Sequence, residues 1–414
     1  MIRIATKTLG CKINQAESAI ILDQFSHNSV QTVDWEQDAD IYIVNTCTVT
    51  NRTDYKSRYH IRQALAKKAL NPHAKVVVTG CFAQRSSEEV RELGDVDFIV
   101  DNQHKLSIAE VLSGKEIAFT DIMSAEEFSY KPSTHMAGHC RAFQKIQDGC
   151  DFYCSYCAVP YARGHARSAK FSQVLEQARL FAEVGFKEIV LGGVNLGLYR
   201  DGEKGLAEVV EAMAEIEGLE LIRLSSIEPQ LFSSELITKL QAIPKLCPHF
   251  HIPLQSGSDA VLQRMGRRYD TALVQRLVGD ILQAFPYAAI GFDVITGFPG
   301  ETDAEHQETY TFLTSLPLAY LHVFTYSKRK GTPADKMPNQ VPKDTKHART
   351  VQLSRLSDSL CSRYEAMLRE KRITVRGIVE QSSTEGSEIL SDHYLRVSSP
   401  QTHELGSCIS VSLS

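Results

Sequence analysis

The sequence predicts an α/β protein in three parts: an N-terminal parallel α/β sandwich, a central partial (βα)6 TIM-like barrel and a small C-terminal all-β barrel. Three observations predict it. Short β-branched apolar runs alternate with helix-like segments along most of the chain. The stretch 121–138 breaks that alternation with Ser, Pro and charge. After residue 372 only short β-like runs remain, at 373–380, 394–398 and 408–412. The expected divisions are therefore 1–120, a linker over 121–138, then 139–372 and 373–414.

In the first part, runs 2–11, 40–47 and 75–81 read as strands separated by helix-like stretches 15–25 and 53–69, with 97–101 as a fourth strand. Right-handed crossovers make such strands parallel and align their carboxyl ends on one edge, where ligands of open α/β sheets bind. Each of the first three runs ends in a cysteine: Cys11, Cys47 and Cys81. One cysteine at a strand end is an ordinary small hydrophobe. Three out of three, on one edge, predict a shared site.

The central part has strand-like runs at 142–147, 188–192, 220–225, 249–254, 290–296 and 320–326, with helical segments between most of them. Six strands make a partial barrel. The densest cysteine cluster, the CxxxCxxC of Cys150, Cys154 and Cys157, follows the first strand and so lies at the C-terminal face, where barrel sites are built. A 4Fe–4S cluster normally takes four thiolates. A site offering three leaves one iron open to a substrate or cofactor. A disulfide or structural zinc is the competing reading, but no second CxxC or His pair follows Cys157 at close range.

Other strand ends carry polar or glycine-rich sequence: Gly192-Gly193, Ser225-Ser226 with Glu228, and 297–301 (GFPGE). Glycine permits close backbone approach to a ligand and also simply turns the chain. His249 and His251 share one strand face, which suits pocket lining better than metal binding without a third ligand. Cys140, Cys247, Cys361 and Cys408 have no site-like spacing and read as structural.

Composition narrows the partners. A net charge of −5 gives no global sign of nucleic-acid binding, so any such partner meets local basic faces. One is 52–68, with six basic residues (Arg52, Lys56, Arg58, Arg62, Lys67, Lys68) against Asp54 alone; another is 343–376, with nine basic residues against four acidic ones. Phosphate contact is one use of a basic helix and a solvated face is the other. The last helix, over 345–372, shows an apolar stripe at Leu353, Leu356, Leu360, Tyr364 and Met367 that should pack on the barrel. No run of 18 apolar residues occurs and the N-terminus is too charged for a secretory segment, so no membrane partner and a cytoplasmic location are expected. Thiols stay reduced there, and ten cysteines then point to metal or catalysis before disulfides.

CxxxCxxC with Tyr156 before its last cysteine, in a partial barrel with glycine-rich strand ends, resembles the radical SAM enzymes. The segments Leu9-Gly10-Cys11-Lys12-Ile13-Asn14-Gln15, Asn45-Thr46-Cys47-Thr48-Val49-Thr50 and Gly80-Cys81 narrow the resemblance to the methylthiotransferases. Lys145 to Cys150, 160–164 (PYARG) and 251–257 (HIPLQSG) are most similar to the branch acting on tRNA threonylcarbamoyladenosine.

This resemblance implies two 4Fe–4S clusters and S-adenosyl-L-methionine. Cys150, Cys154 and Cys157 would hold the cluster that binds S-adenosylmethionine; Cys11, Cys47 and Cys81 would hold an auxiliary cluster carrying the sulfur to be inserted. Tyr156, Gly192, Gly193, Ser226, Glu228, Gln255 and Ser256 are the candidate cofactor contacts, although Val194 stands where many such enzymes have a glutamate after the two glycines. The implied substrate is N6-threonylcarbamoyladenosine beside the anticodon, on its 3′ side, and the product its 2-methylthio derivative. Partners implied are the tRNA anticodon stem-loop, met by Arg52, Lys56, Arg58 and Arg62, an electron donor of the flavodoxin or ferredoxin type, and a sulfur donor. The C-terminal runs resemble a TRAM module. Two other readings fit the cysteines: a methylthiotransferase acting on a ribosomal-protein aspartate, and a non-enzymatic iron–sulfur carrier or redox sensor. The glycine-rich strand ends and basic helices fall outside the second.

Overall fold

Buried apolar runs form the inner strands of the larger sheets of this computed structural model, which describes residues 1–25, 30–134, 136 and 138–413. Strands β1 (Ile2–Thr8), β2 (Val30–Val33), β3 (Ile41–Thr46), β4 (Lys75–Gly80) and β5 (Phe98–Ile99) form one parallel sheet in the order β2-β1-β3-β4-β5. Successive residues alternate between two cores. Tyr42, Val44, Val76 and Val78 face one side, while Ile41, Ile43 and Val77 face the other. Both faces are covered, as a parallel sheet requires. The strand order reverses direction between β1 and β3, the crevice where ligands of such sheets lie. Cys11 and Cys47 follow those two strands, and Cys81 follows β4. Three helices start at or just after these cysteines: α1 (Lys12–Asp23), α2 (Asn51–Leu70) and α3 (Cys81–Arg85). A reciprocal Thr50–Thr53 capping box fixes the start of α2.

The segment 121–138 contains one 3-10 turn, Ile122–Ser124, and otherwise runs without regular structure; its residues 135 and 137 lie outside the described ones. Next, β6 (Ala142–Lys145) leads into a hairpin of β7 (Gln147–Asp148) and β8 (Arg167–Ser168), and the CxxxCxxC loop lies between the hairpin strands. The barrel continues through β9 (Glu188–Gly192), β10 (Leu221–Leu224), β11 (His249–Gln255), β12 (Ala289–Thr296) and β13 (Tyr320–Thr325). Two parallel three-stranded sheets, β10-β9-β6 and β11-β12-β13, are joined by an Ile222–Leu246 bridge. Among the described residues no ladder joins β6 to β13, so the barrel stays open on that side.

The helix Lys343–Glu370 buries Leu353, Leu356, Leu360, Tyr364 and Leu368, the predicted stripe except that Leu368 rather than Met367 is fully buried. Arg349 ties this helix to the barrel through Glu301 (2.9 Å). The same Glu301 accepts the Gly297 and Phe298 N–H groups (2.6 and 3.0 Å), so the GFPGE segment is a closed turn. At the C-terminus β14 (Thr374–Ser383), β15 (Gly386–Ser391), β16 (Arg396–Ser399) and β17 (Cys408–Ser412) form an antiparallel sheet in the order β16-β15-β14-β17. That is one strand more than the sequence runs suggest. Cys140, Cys247 and Cys408 meet around Leu221 and Ile378 where this sheet packs on the barrel, behaving as the small hydrophobes expected. Among the described residues no helix is long and apolar enough to cross a membrane.

Candidate active site

Each cysteine trio is gathered by local geometry. Gly10, at φ +91°, turns β1 into α1 so tightly that a Cβ there would lie 2.5 Å from Cys47 Sγ. That close approach, possible only for glycine, sets Cys11 beside Cys47. Cys81 completes the group: its charge raises the pKa of both Cys11 and Cys47. Burial is the larger effect, pushing Cys47 up to about 11. Cys150 feels Cys154, and Cys157 feels both Cys154 and Cys150, in the same way. Burial, reinforced by neighbouring thiols, pushes Cys150 up to about 11 and Cys157 up to about 12.

Thiols so raised give up their protons to a metal and not to water. Among the described residues, His251, Asp293 and His322 are the group of three whose ligand atoms all lie within 4.8 Å of one another. Neither cysteine trio closes that far. One tetrahedral zinc with Zn–S bonds of about 2.3 Å would need tighter spacing, so the donor sets fit a larger polynuclear centre better.

The surroundings fit an anionic centre. Arg267 donates to Cys154 Sγ from Nη1 (3.1 Å), and the Val159 N–H points to Cys157 Sγ (3.4 Å). Asn195 neighbours Cys150, and neither its Oδ1 nor its Nδ2 has a partner within the described protein. Beside the other trio, Glu17 and Asp148 meet three buried cations. Glu17 accepts from Lys105 (2.5 Å), Lys145 (2.8 Å) and both Arg163 terminal nitrogens (3.0 Å each), while Arg163 and Lys145 also reach Asp148 (2.9 and 3.0 Å). The surplus positive charge lies near the sulfurs: Arg163 offsets part of the burial that raises the Cys11 pKa, and is itself raised by Asp148 and Glu17 first and by Cys81 after them.

This network also fixes the sheet on the barrel. Glu17 and Asn14 belong to α1, Asp148 and Arg163 to the hairpin, and Arg163 Nη2 donates to Asn14 Oδ1 (2.7 Å). Asn14 in turn holds the Leu9 and Thr46 carbonyls (2.7 and 3.0 Å), steadying the loops of Cys11 and Cys47. At the other side of the mouth, Arg329 after β13 binds Thr48, Asn51 and Asp54 (2.7, 2.7 and 2.6 Å). The carboxyl edge of the sheet thus lies over the carboxyl ends of the barrel strands.

Between them is a cavity of about 270 Å³, reached by Cys11 and Lys12 from α1, and by Gly192, Gly193 and Ser226 from the barrel. Ser226 Oγ hydrogen-bonds His251 Nδ1 (2.8 Å), and His251 Nε2 meets Asp293 (2.9 Å). The histidines line the pocket, and Asp293 and His322 stand beside His251 as the further ligand groups that the local sequence does not show. Glu228 is paired with Arg267, yet burial holds its pKa above the ordinary carboxylate value. Tyr156 packs edge-on against Phe298 and stands 3.4 Å from Arg267. Gln255 ends β11 at φ +73°, a strained backbone for a non-glycine residue. Ser256 is turned away, its hydroxyl engaged with Thr309 Oγ1 (3.1 Å) and the Ser258 N–H (3.2 Å). On α2, Arg52, Lys56 and Arg62 are exposed, whereas Arg58 is committed to Glu89 (2.9 Å).

Sequence reasoning did not find Arg267, Glu17, Asn195 or Tyr394. Tyr394 comes from the C-terminal sheet, stacks on His249 (4.4 Å between ring centroids) and lines the cavity. Only the PYARG segment, quoted for its resemblance, had pointed at Arg163.

Residues 3–101 match the family described as "Uncharacterized protein family UPF0004", and residues 145–313 match the Radical SAM superfamily. The "Threonylcarbamoyladenosine tRNA methylthiotransferase MtaB" of Aquifex aeolicus (strain VF5) is 35% identical, covering 99% of both chains. The "Ribosomal protein uS12 methylthiotransferase RimO" of Desulfitobacterium hafniense (strain Y51) is 32% identical over 99% of this chain and 96% of its own. Among solved structures, the radical S-adenosylmethionine methyltransferase TsrM from Kitasatospora setae shares the fold, with a TM-score of 0.61 at 13% identity over 80% of this chain and 76% of that one. The Radical SAM match brings with it one 4Fe–4S cluster and S-adenosylmethionine. The chain is an enzyme of the radical SAM methylthiotransferase family, of the MtaB type.

Proposed function

We propose that this enzyme converts N6-threonylcarbamoyladenosine, beside the anticodon of a tRNA, to its 2-methylthio derivative. The observation that carries the substrate is the full-length likeness to the Aquifex aeolicus protein of that name. In this reading residues 1–120 hold an auxiliary 4Fe–4S cluster through Cys11, Cys47 and Cys81. Residues 139–372 hold the second through Cys150, Cys154 and Cys157, and 373–414 close the cavity and meet RNA. The cofactors supply the radical chemistry that an unactivated adenine C–H bond demands and no side chain provides. The protein's own part is to hold both centres over one cavity and keep the base oriented there. Arg267 secures the cysteine loop through Cys154, and Tyr156, Gly192, Gly193, Ser226, Glu228 and Gln255 shape the cofactor side. An electron donor of the flavodoxin or ferredoxin type and a sulfur donor complete the reaction.

The test is mass spectrometry of nucleosides from total tRNA of cells with and without the gene. Loss of the 2-methylthio derivative, accumulation of its parent and recovery with a plasmid copy is the expected result. An unchanged profile would reject this substrate.

RNA contact falls on α2. Arg52, Tyr55, Lys56, Tyr59 and Arg62 recur at helical spacing, and all five are exposed. Cations interleaved with rings suit phosphates and unstacked bases. Reversing Arg52, Lys56 and Arg62 to glutamate is expected to weaken tRNA binding at least tenfold. The slope of log affinity against log salt should flatten by about 2–3, since each of the three lost phosphate contacts removes about 0.7–0.9. Binding titrations at several salt concentrations measure both.

A further inference from the structure

The cavity wall holds polar atoms that the protein leaves unmatched, and together they describe a ligand. Three of its lining side chains are basic: Lys145, Arg223 and Lys12, whose pKa burial and the nearby Arg141 and Arg223 lower to about 8. Two are spent. Lys145 is paired with Glu17 and Asp148. Arg223 is bound to Glu188 (2.7 Å) and to the Ser391 and Asp392 carbonyls (2.9 and 3.1 Å). Lys12 forms no ion pair among the described residues. Its ammonium instead sits between two rings, 5.6 Å from the centroid of Phe143 and 5.8 Å from that of Tyr394.

Tyr394 links this ammonium to a second unmatched group. It stacks on His249, a buried residue whose Nε2 meets the Tyr320 hydroxyl (2.7 Å) while its Nδ1 has no partner. Ser225 Oγ, on the same wall, is buried and unpartnered as well. Burying polar atoms without partners is unfavourable. A fold keeps such atoms together at a cavity where a ligand completes them.

A surplus cation, an imidazole nitrogen and a hydroxyl are complementary to a carboxylate flanked by hydrogen-bonding groups. Resting on the function proposed above, the substrate substituent has that make-up: a free carboxylate, a hydroxyl and a carbamoyl N–H and C=O. We infer that Lys12 is a specificity-determining residue that pairs with the carboxylate of the threonylcarbamoyl group, in a subsite completed by His249 and Ser225. Phe143 and Tyr394 hold the ammonium ready without neutralising it, as cation–π contacts do. A substrate bearing an apolar group on N6 would leave Lys12 unpaired, and the subsite therefore selects against it.

The test measures binding of anticodon stem-loop RNAs to the reconstituted holoenzyme by fluorescence anisotropy. One RNA carries N6-threonylcarbamoyladenosine and the other its methyl ester, which differs in the loss of the negative charge. The unaltered enzyme is expected to prefer the free acid by about tenfold, the scale of one charged hydrogen bond. Lys12→Met should abolish that preference and Lys12→Arg should keep it, with iron content and visible absorption showing both variants loaded. A Lys12→Met enzyme that still prefers the acid as the unaltered one does overturns the inference. The ester comparison on unaltered protein needs no variant, so a misfolded Lys12→Met leaves the test standing. Equal binding of acid and ester by an enzyme that methylthiolates the acid overturns the subsite and keeps the proposed function. Failure to methylthiolate the acid at all removes both.

Discussion

Glu17→Gln is expected to cost about 3–5 kcal/mol of stability, the usual penalty for breaking a buried ion pair by removing one partner. Glu17 is fully buried and accepts hydrogen bonds from Lys105, Lys145 and Arg163. Glutamine keeps the shape and removes the charge, leaving three buried cations against Asp148 alone. The damage should be directional. Lys105 belongs to the N-terminal part while Lys145 and Arg163 belong to the barrel, so the variant loosens the sheet from the barrel mouth more than it unfolds either. Chemical denaturation should show a lower midpoint with an early transition, and iron content should fall toward roughly half of the eight atoms that the two proposed clusters would hold. The pH dependence gives an independent signature. Burial alone would raise the Glu17 pKa, but Arg163, Lys105 and Lys145 reverse this and hold it well below the usual carboxylate range. The stability it contributes is therefore complete above about pH 5 and lost only as pH falls through the depressed value. The glutamine variant should lack that acid limb. Equal stability of the two proteins at neutral pH would show that the cluster of charges is not what seats the sheet.

The elements of the fold were legible where one face or both are buried. Ile41–Thr46 is buried at every position and reads as a strand from composition alone. Val30–Val33 went unread because it is a four-residue edge strand with an exposed middle, and Gly386–Ser391 because its sequence, GSEILS, is half polar. At the site, the six cysteines could be read from spacing and strand ends. Their supporting residues could not. Glu17 and Arg163 are 146 residues apart, Arg267 and Cys154 are 113 apart, and no local pattern announces such pairings. Ser256 illustrates the converse: a hydroxyl at a strand end looks like a ligand contact, but Thr309 on the helix Asp303–Ser315 takes it. Arg58 is similar, a cation in a basic run whose charge is already matched by Glu89. Charge pattern in a sequence counts groups; it does not show which remain free after packing.

Two cysteine variants should separate the two centres. Cys154→Ala removes one of three thiols in the barrel loop, the one that Arg267 contacts at 3.1 Å. It is expected to abolish reductive cleavage of S-adenosylmethionine, by at least about a thousandfold, since the chemistry belongs to the cofactor and the protein cannot substitute for it. Roughly four irons should remain, on the other trio. Cys47→Ala should do the reverse. It lies at the strand-order crevice against Gly10, remote in sequence from the barrel loop, so cofactor cleavage persists while methylthio insertion is lost. The readouts are 5′-deoxyadenosine and the modified nucleoside, measured in one reaction. Loss of both products in both variants, with iron still bound, would mean that the trios do not act as separate centres. Retained methylthiolation in either would remove that trio from the reaction. Cleavage without insertion in Cys47→Ala, beside neither in Cys154→Ala, is the pattern that two distinct centres require.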